Sequence, residues 1–316
     1  MAQPPSPQLD APQPSGTSPL SVASPYRAGY VAIVGRPNVG KSTLLNRLVG
    51  QKISITSRKP QTTRQRITGI LTRDDAQLMF VDTPGFQTRH TSSLNRHMNR
   101  IVTQALADVD VILLVIEAGR FSAEDRALLP LLPGKRRVLL VINKTDRLAD
   151  RGLLLPFIAQ VAGEHEFAEV VPVSASKGHG IDELAGTIGR YLPEQPALYG
   201  GDEITESSER FLAAELIREK LFRLLGDELP YVSAVLIDRF VMEGTMRRIH
   251  ASIIVDKESH KGIVVGEKGA QLKAIGTRAR IDIERLVGGK VHLEIWVKVK
   301  RGWTENRQVL KQLGYG

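Results

Sequence analysis

YVAIVGRPNVGKSTLLNRLVG, residues 30–50, sets an aliphatic run, a glycine-bounded loop and a helix-forming run in immediate succession. Its centre, GRPNVGKS at 35–42, fits the pattern G-x-x-x-x-G-K-[ST], in which backbone N–H groups of a loop and of the following helix surround phosphates. Gly35 and Gly40 permit close backbone approach, while Arg36, Pro37, Asn38 and Val39 complete the cradle. Lys41 supplies a point charge at the β- and γ-phosphates, and the Ser42 hydroxyl is a Mg²⁺ ligand. The loop alone would suit ATP or GTP equally.

Working outward, the runs at 30–34, 78–81, 111–116, 138–142 and 170–173 are almost wholly aliphatic. Strands of that kind are buried on both faces, as a parallel sheet covered by helices requires. Residues 43–49, 93–107, 123–132, 153–162 and 181–191 have helical length or periodicity, so the expectation is an α/β domain with a doubly wound, mostly parallel sheet.

The base is read from NKTD, Asn143, Lys144, Thr145 and Asp146, at the end of the 138–142 run. A carboxylate at Asp146 accepts hydrogen bonds from guanine N1–H and N2–H₂, whereas adenine offers it an unpaired acceptor. Sites built on such bonds reject the wrong partner by roughly 10⁴-fold or more. Ser174 and Ala175, one strand later, are placed to close over the base. DTPG (Asp82, Thr83, Pro84, Gly85) follows the 78–81 run, with Asp82 holding Mg²⁺ through water and the Gly85 N–H sensing the γ-phosphate. Between these motifs, 53–67 reads as a nucleotide-sensitive switch in which Thr62 or Thr63, preferably Thr63, reaches Mg²⁺ and the γ-phosphate. Arg58, Lys59, Arg64 and Arg66 read as solvated switch charges.

With GRPNVGKS, the KPQTTR run at 59–64, DTPG and NKTD in this order, residues 29–192 resemble the translation-factor-like GTPases and, within them, the Era family. The resemblance implies GTP/GDP as ligand, GTP hydrolysis, and a nucleotide contact at Phe86, the residue after Gly85. Phe86 cannot orient water as a glutamine does, and Gln87 has no clear claim to that task. Relatives with an asparagine like Asn38 use a potassium ion to stabilise charge, which the resemblance carries over to Asn38. The catalytic set is therefore Lys41, Thr63, Gly85 and Asn38, and no arginine finger is named.

Beyond the punctuating Pro193, Pro196, Gly200 and Gly201, the texture changes. Phe211, Ala214, Leu216, Ile217, Leu221, Leu224 and Leu225 lie on one helical face. Residues 231–242 and 247–255 read as strands about Gly244, and 291–300 alternates as a third. Gly266-Glu267-Lys268-Gly269 then precedes a long helix at 270–286, the way a KH domain clamps single-stranded RNA. Lys268, Lys273, Arg278 and Arg280 form a phosphate track, and Ile263, Val265, Leu272 and Ile275 line a groove or belong to the core. Trp296 reads as packing, Trp303 as a possible base-stacking surface, and His250 and His260 as surface residues. Residues 259–302, including VHLEIWVKVKRGW, resemble the RNA-binding domain of the same family, a type II KH domain of α+β class. That resemblance implies the 3′ end of 16S ribosomal RNA as partner and a role in assembly of the small ribosomal subunit.

Composition sets the outer limits. The 316 residues contain no cysteine, which excludes disulfides and thiolate chemistry, and carry a net charge of +9. From 257 to 316 thirteen basic side chains face six acidic ones, so most of the excess lies in the last fifth of the chain. A polyanion partner follows, either nucleic acid or anionic lipid. No run approaches the roughly 18 apolar residues of a membrane span. The expected location is the cytoplasm, to which the family resemblance adds peripheral contact at the membrane's inner face, and the expected state is a monomer. The alternatives are a membrane-docked GTPase without RNA and an RNA module whose nucleotide is structural. The expected division is a disordered Pro/Ser-rich tail at 1–26, without secretory or import character, a G domain at 27–192, a linker at 193–206 and a KH domain at 207–316.

Overall fold

A computed structural model describes residues 25–57, 59, 61–86, 93–134, 136–226 and 228–313. Most of the expected tail, Arg58 and Gln87 lie outside the described residues.

The aliphatic runs form the strands β1 (Arg27–Val34), β3 (Ala76–Asp82), β4 (Val111–Glu117), β5 (Arg137–Asn143) and β6 (Glu169–Pro172). With β2 (Ile67–Thr72) they make one six-stranded sheet in the order β2-β3-β1-β4-β5-β6. All neighbours are parallel except β2, which runs antiparallel to β3 at the edge. The helices are α1 (Lys41–Val49), α2 (Ser93–Ala107), α3 (Ala123–Arg126), α4 (Leu154–Ala162) and α5 (Ile181–Arg190). Leu44 and Leu45 of α1 and Leu184 and Ile188 of α5 fill one face of the sheet; Val102 and Leu106 of α2 and Val161 of α4 fill the other.

Two local expectations fail for visible reasons. The helix expected at 123–132 stops after one turn and resumes as a 3₁₀ turn at Leu129–Leu131, because Pro130 has no N–H to continue the ladder. The stretch 193–206 is no free linker. Pro193 O accepts from Ala28 N at 3.1 Å, Gln77 Oε1 accepts from the Leu198 and Tyr199 N–H groups, and Ile204 O accepts from Ile70 N at 2.9 Å. It is strapped across the sheet.

The remaining elements are α6 (Glu209–Leu224), β7 (Ser233–Glu243), β8 (Met246–Val255), α7 (Glu258–Val265), α8 (Ala270–Val287), β9 (Lys290–Val299) and α9 (Arg307–Gln312). β7 and β8 are antiparallel and β9 joins β8 in parallel. The inward residues Ile249, Ala251, Ile253 and Val255 pack against Ile217 and Leu221 of α6 and Ile275, Ala279 and Ile283 of α8. The polar face of α6 is covered too: Glu215, Arg218, Glu219 and Lys220 are all buried. A helix with a single apolar stripe ordinarily leaves such groups in water; here Arg218 and Glu219 reach Thr62 and Thr56 of the switch segment, Glu215 pairs with Arg218, and Lys220 pairs with Glu219 and Asp282.

Candidate nucleotide site and nucleic-acid loop

The phosphate loop leaves the end of β1 and enters α1 at Lys41. Gly35 has φ 156° and an added Cβ would stand 2.4 Å from Val115 O; Gly40 has φ 102° and its Cβ would stand 2.4 Å from Asn143 Nδ2. Both positions therefore exclude side chains for steric as well as torsional reasons. Lys41 is buried and donates to Gly35 O and Arg36 O at 3.0 Å each. Burial lowers its pKa to about 8, against the pull of Asp82. An anionic phosphate here would favour the charged amine. The Arg36 side chain turns to Glu117 at 3.1 Å and Asp125 at 3.2 Å, so what Arg36 offers the cradle is its backbone.

Ser42, Thr63 and Asp82 come together from three separate motifs. Asp82 Oδ2 accepts from Ser42 Oγ at 2.9 Å and Thr63 Oγ1 at 3.1 Å, and the two hydroxyls are 2.9 Å apart. Thr62 faces elsewhere, with its hydroxyl on Lys59 O. Ser54, which sequence reasoning passed over, adds a third hydroxyl at 2.9 Å, its backbone held by the Asn46 side chain. Burial raises the Asp82 pKa, opposed by Lys41 and the three hydroxyls. Its Oδ1 is buried without a hydrogen-bond partner among the described residues. One carboxylate and a cluster of hydroxyl oxygens suit a small hard cation, which takes oxygen ligands. At Gly85 a Cβ would stand 2.9 Å from the Pro37 backbone, so the DTPG turn lies directly against the phosphate loop. Thr83 is anchored to Ile33 O at 2.8 Å, and Phe86 packs with the core on the α2 side of the sheet.

In the NKTD segment the roles divide. Asn143 donates to Val39 O at 2.9 Å and accepts from Lys144 N at 2.8 Å and Ala175 N at 3.0 Å, joining the phosphate loop to the two base-side loops. Asp146 is exposed and accepts from the Ser174 and Ser176 hydroxyls, and the Ser174 bond is the main reason its pKa is lowered. It presents an ionised carboxylate. Thr145 is tied to Val173 O at 3.0 Å. Arg47 of α1 braces the far side through Ala175 O and Ser176 O; bonds to carbonyls leave no motif by which it could have been found.

The switch charges require correction. Arg64 is buried and donates to Ser233 O, Pro230 O and Tyr231 O at 2.8–3.0 Å, with its guanidinium 5.8 Å from the Phe222 ring centre. Lys59 donates to Leu225 O at 2.6 Å and Gly226 O at 3.0 Å. Arg218 of α6 donates to Thr62 O, and buried Glu219 accepts from Thr56 N at 3.1 Å and from Lys52 at 2.7 Å. Neither Lys59 nor Arg64 is solvated, because each meets a helix-end or loop carbonyl of the second domain.

At the other glycine loop, Gly266 has φ 73° and ψ 179°, and an added Cβ would lie 2.6 Å from Gln271 Cβ. Gly269 has φ 81°, and Lys268 sits between them at φ 48°. The loop joins α7 to α8. Glu267, Lys268, Lys273 and Arg278 are exposed, while Arg280 is paired with Glu284 at 2.9 Å. Beside them Leu272, Gly276, Leu293 and Ile295 line a groove; Ile275 is core, Val265 half-buried and Ile263 54% exposed. The two tryptophans reverse expectation. Trp303 is fully buried, bonded to Val232 O and packed with Leu94 and Met98 of α2, so it cannot stack on a base, whereas Trp296 is 45% exposed on the outer face of β9. His250 and His260 are half-buried rather than free surface residues.

Comparison with known proteins agrees in both halves. The family described as 50S ribosome-binding GTPase matches residues 30–144, and the KH domain family matches 228–304. GTPase Era of Nitrosomonas eutropha is 57% identical over 93% of this chain and 99% of its own length; that of Chromobacterium violaceum is 54% identical over 92% and 98%. A crystal structure of Era in complex with MgGDPNP and nucleotides 1506–1542 of 16S ribosomal RNA superposes with a TM-score of 0.89 at 42% identity, covering 92% of this chain and 99% of that one. Fold and site together define a P-loop GTPase carrying a C-terminal KH domain, an enzyme that hydrolyses GTP. The chain belongs to the Era family of GTPases.

Proposed function

We propose that this GTPase is a nucleotide-controlled RNA-binding switch that grips the 3′ end of 16S ribosomal RNA through the 266–269 loop during assembly of the small ribosomal subunit. The observation that carries the control is the Thr62–Thr63–Arg64 tripeptide. Thr63 is bonded to Ser42 and Asp82, while both its neighbours are bonded to the KH side. A change at Thr63 on gain or loss of a γ-phosphate is transmitted to those neighbours, as in switches ordered by the terminal phosphate. The Era relative solved with 16S ribosomal RNA supports the choice of partner.

In this reading Ser42, Thr63 and Asp82 hold Mg²⁺, which when bound supplies charge neutralisation at the β- and γ-oxygens. Lys41 and the loop N–H groups position the phosphates. The Gly85 N–H meets the γ-phosphate, Asp146 orients guanine, and Asn38 is a ligand for potassium. Lys268, Lys273 and Arg278, with Arg280 once it leaves Glu284, neutralise RNA phosphates. The protein acts as a monomer in the cytoplasm, with peripheral contact to anionic membrane, and its two domains divide near 207, beyond the stretch bonded to the first sheet.

The test is GTP hydrolysis with and without a short single-stranded RNA matching the 3′ end of 16S ribosomal RNA, in potassium and in sodium buffer, beside Gly266→Asp. Stimulation by RNA that the variant loses supports the reading, and indifference to the cation removes the potassium assignment. If RNA neither bound nor altered turnover while anionic vesicles captured the protein, the basic terminus would belong to a membrane-docked GTPase instead.

A further inference from the structure

The nucleotide pocket has two grips far apart in sequence, the phosphate loop at 35–42 and the base-recognition segment at 143–146. One side chain outside both motifs touches each. Glu117 ends β4, in register with Asn143 at the end of β5. Its Oε2 accepts from Arg36 Nη2 at 3.1 Å and its Oε1 pairs with Lys144 Nζ at 3.0 Å, with Arg147 at 3.8 Å. Side-chain exposures of 6% for Arg36, 17% for Lys144 and 21% for Glu117 keep these pairs partly shielded from water, where an ion pair is stronger than on an open surface. The Arg36 guanidinium is held from its other edge by Asp125, which is fully buried and closes a capping box with Ser122.

Lys144 also needs holding. It has φ 64°, an uncommon conformation for a residue with a side chain, and such a residue persists only when its surroundings over-determine it. The Asn143 side chain fixes its N–H and Glu117 fixes its ammonium group. Burial pushes the Glu117 carboxyl up, but the bonds from Lys144 and Arg36 outweigh it and leave the group below its ordinary value, so the carboxylate is charged.

We propose that Glu117 is a positioning residue that locks the phosphate loop to the base-recognition segment, so that both grips on the guanine nucleotide are set together before the ligand arrives. This rests on the assignment of those two loops as the nucleotide site. Glu117 acts through Arg36 and Lys144, and its loss therefore weakens binding of GTP and GDP alike while leaving the chemical step intact.

Glu117→Gln keeps the size of the side chain and removes its charge. The expected result is a rise of about tenfold in KM for GTP and in Kd for GDP, the scale of one charged hydrogen-bond pair, with kcat at saturating GTP within about twofold. Arg36→Gln should weaken GDP as well, and the double variant should be little worse than either single one, since both cut the same link. Glu117→Asp retains the carboxylate and should recover most of the affinity, which also guards against a glutamine variant that fails to fold. Wild-type affinity in Glu117→Gln, a fall in kcat at unchanged KM, additive effects of the two changes, or a folded Asp variant as weak as the Gln one would each overturn the inference. If the wild type itself failed to bind GDP, the site assignment would fall instead.

Discussion

The loops at 35–42 and 266–269 use the same device, glycines at positive φ beside a lysine, and set that lysine in opposite surroundings. Lys41 is buried, fastened to two loop carbonyls and drawn toward Asp82, whereas Lys268 is exposed. The first arrangement suits a small ligand whose phosphates must be held in one geometry, since groups fixed in advance lose little freedom on binding. The second suits a long polyanion met by many weak charges at once, where affinity rests on counterion release. In the proposed reading one glycine-lysine pattern serves two kinds of phosphate recognition, and burial separates them.

The comparison breaks most visibly at Lys41. Lys41→Ala should lower kcat for GTP about 10²- to 10³-fold, the scale of removing one fixed charge stabiliser, while RNA affinity without nucleotide stays within about twofold; an equal loss in both assays would mean that the loops are not separate. Gly266→Ala places a Cβ against Gln271 at a strained φ. At about 1–3 kcal/mol of strain it should weaken RNA binding roughly tenfold in a filter or anisotropy titration and leave KM for GTP unchanged.

A pH titration sharpens the contrast. The Lys41 pKa, lowered to about 8 in the free protein, must rise when phosphate binds, so binding takes up a proton above that pH. GDP affinity should be level below about pH 7 and fall about fivefold from pH 8 to 9, as calorimetry would show, whereas flat affinity through pH 9 would contradict the burial of this amine. The smallest effect is expected at Lys268→Gln. It should reduce the slope of log affinity for RNA against log salt by about 0.7, one phosphate contact on a single strand, without altering hydrolysis.

Legibility followed the same division. The nucleotide loops could be read from the chain because phosphate and guanine demand particular residue types at short spacing. Asp82, Ser42 and Thr63 were each placed by their own motif, and the fold brings their oxygens together. The roles of Lys59 and Arg64 could not be read, since their partners are main-chain carbonyls more than 160 positions away, and every residue has a carbonyl. Trp296 and Trp303 were misplaced for a related reason. Alternation along a strand says which side chains share a face, not which face meets another domain, and α2 covers the part of the outer sheet face that includes Ile254.

The amino-acid sequence by itself determined the α/β sheet, the phosphate loop, the guanine preference and the glycine loop of the KH domain, because periodicity, glycine conformations and ligand chemistry act over a few neighbouring residues. Only the tertiary structure decided that α6 buries charge on its polar face, that Glu117 joins two motifs and that the switch is fastened to the KH side. Those facts depend on which carbonyls and carboxylates the packing of distant segments brings within about 3 Å of a donor, and hydrogen bonds of that length form only when both partners are already in place.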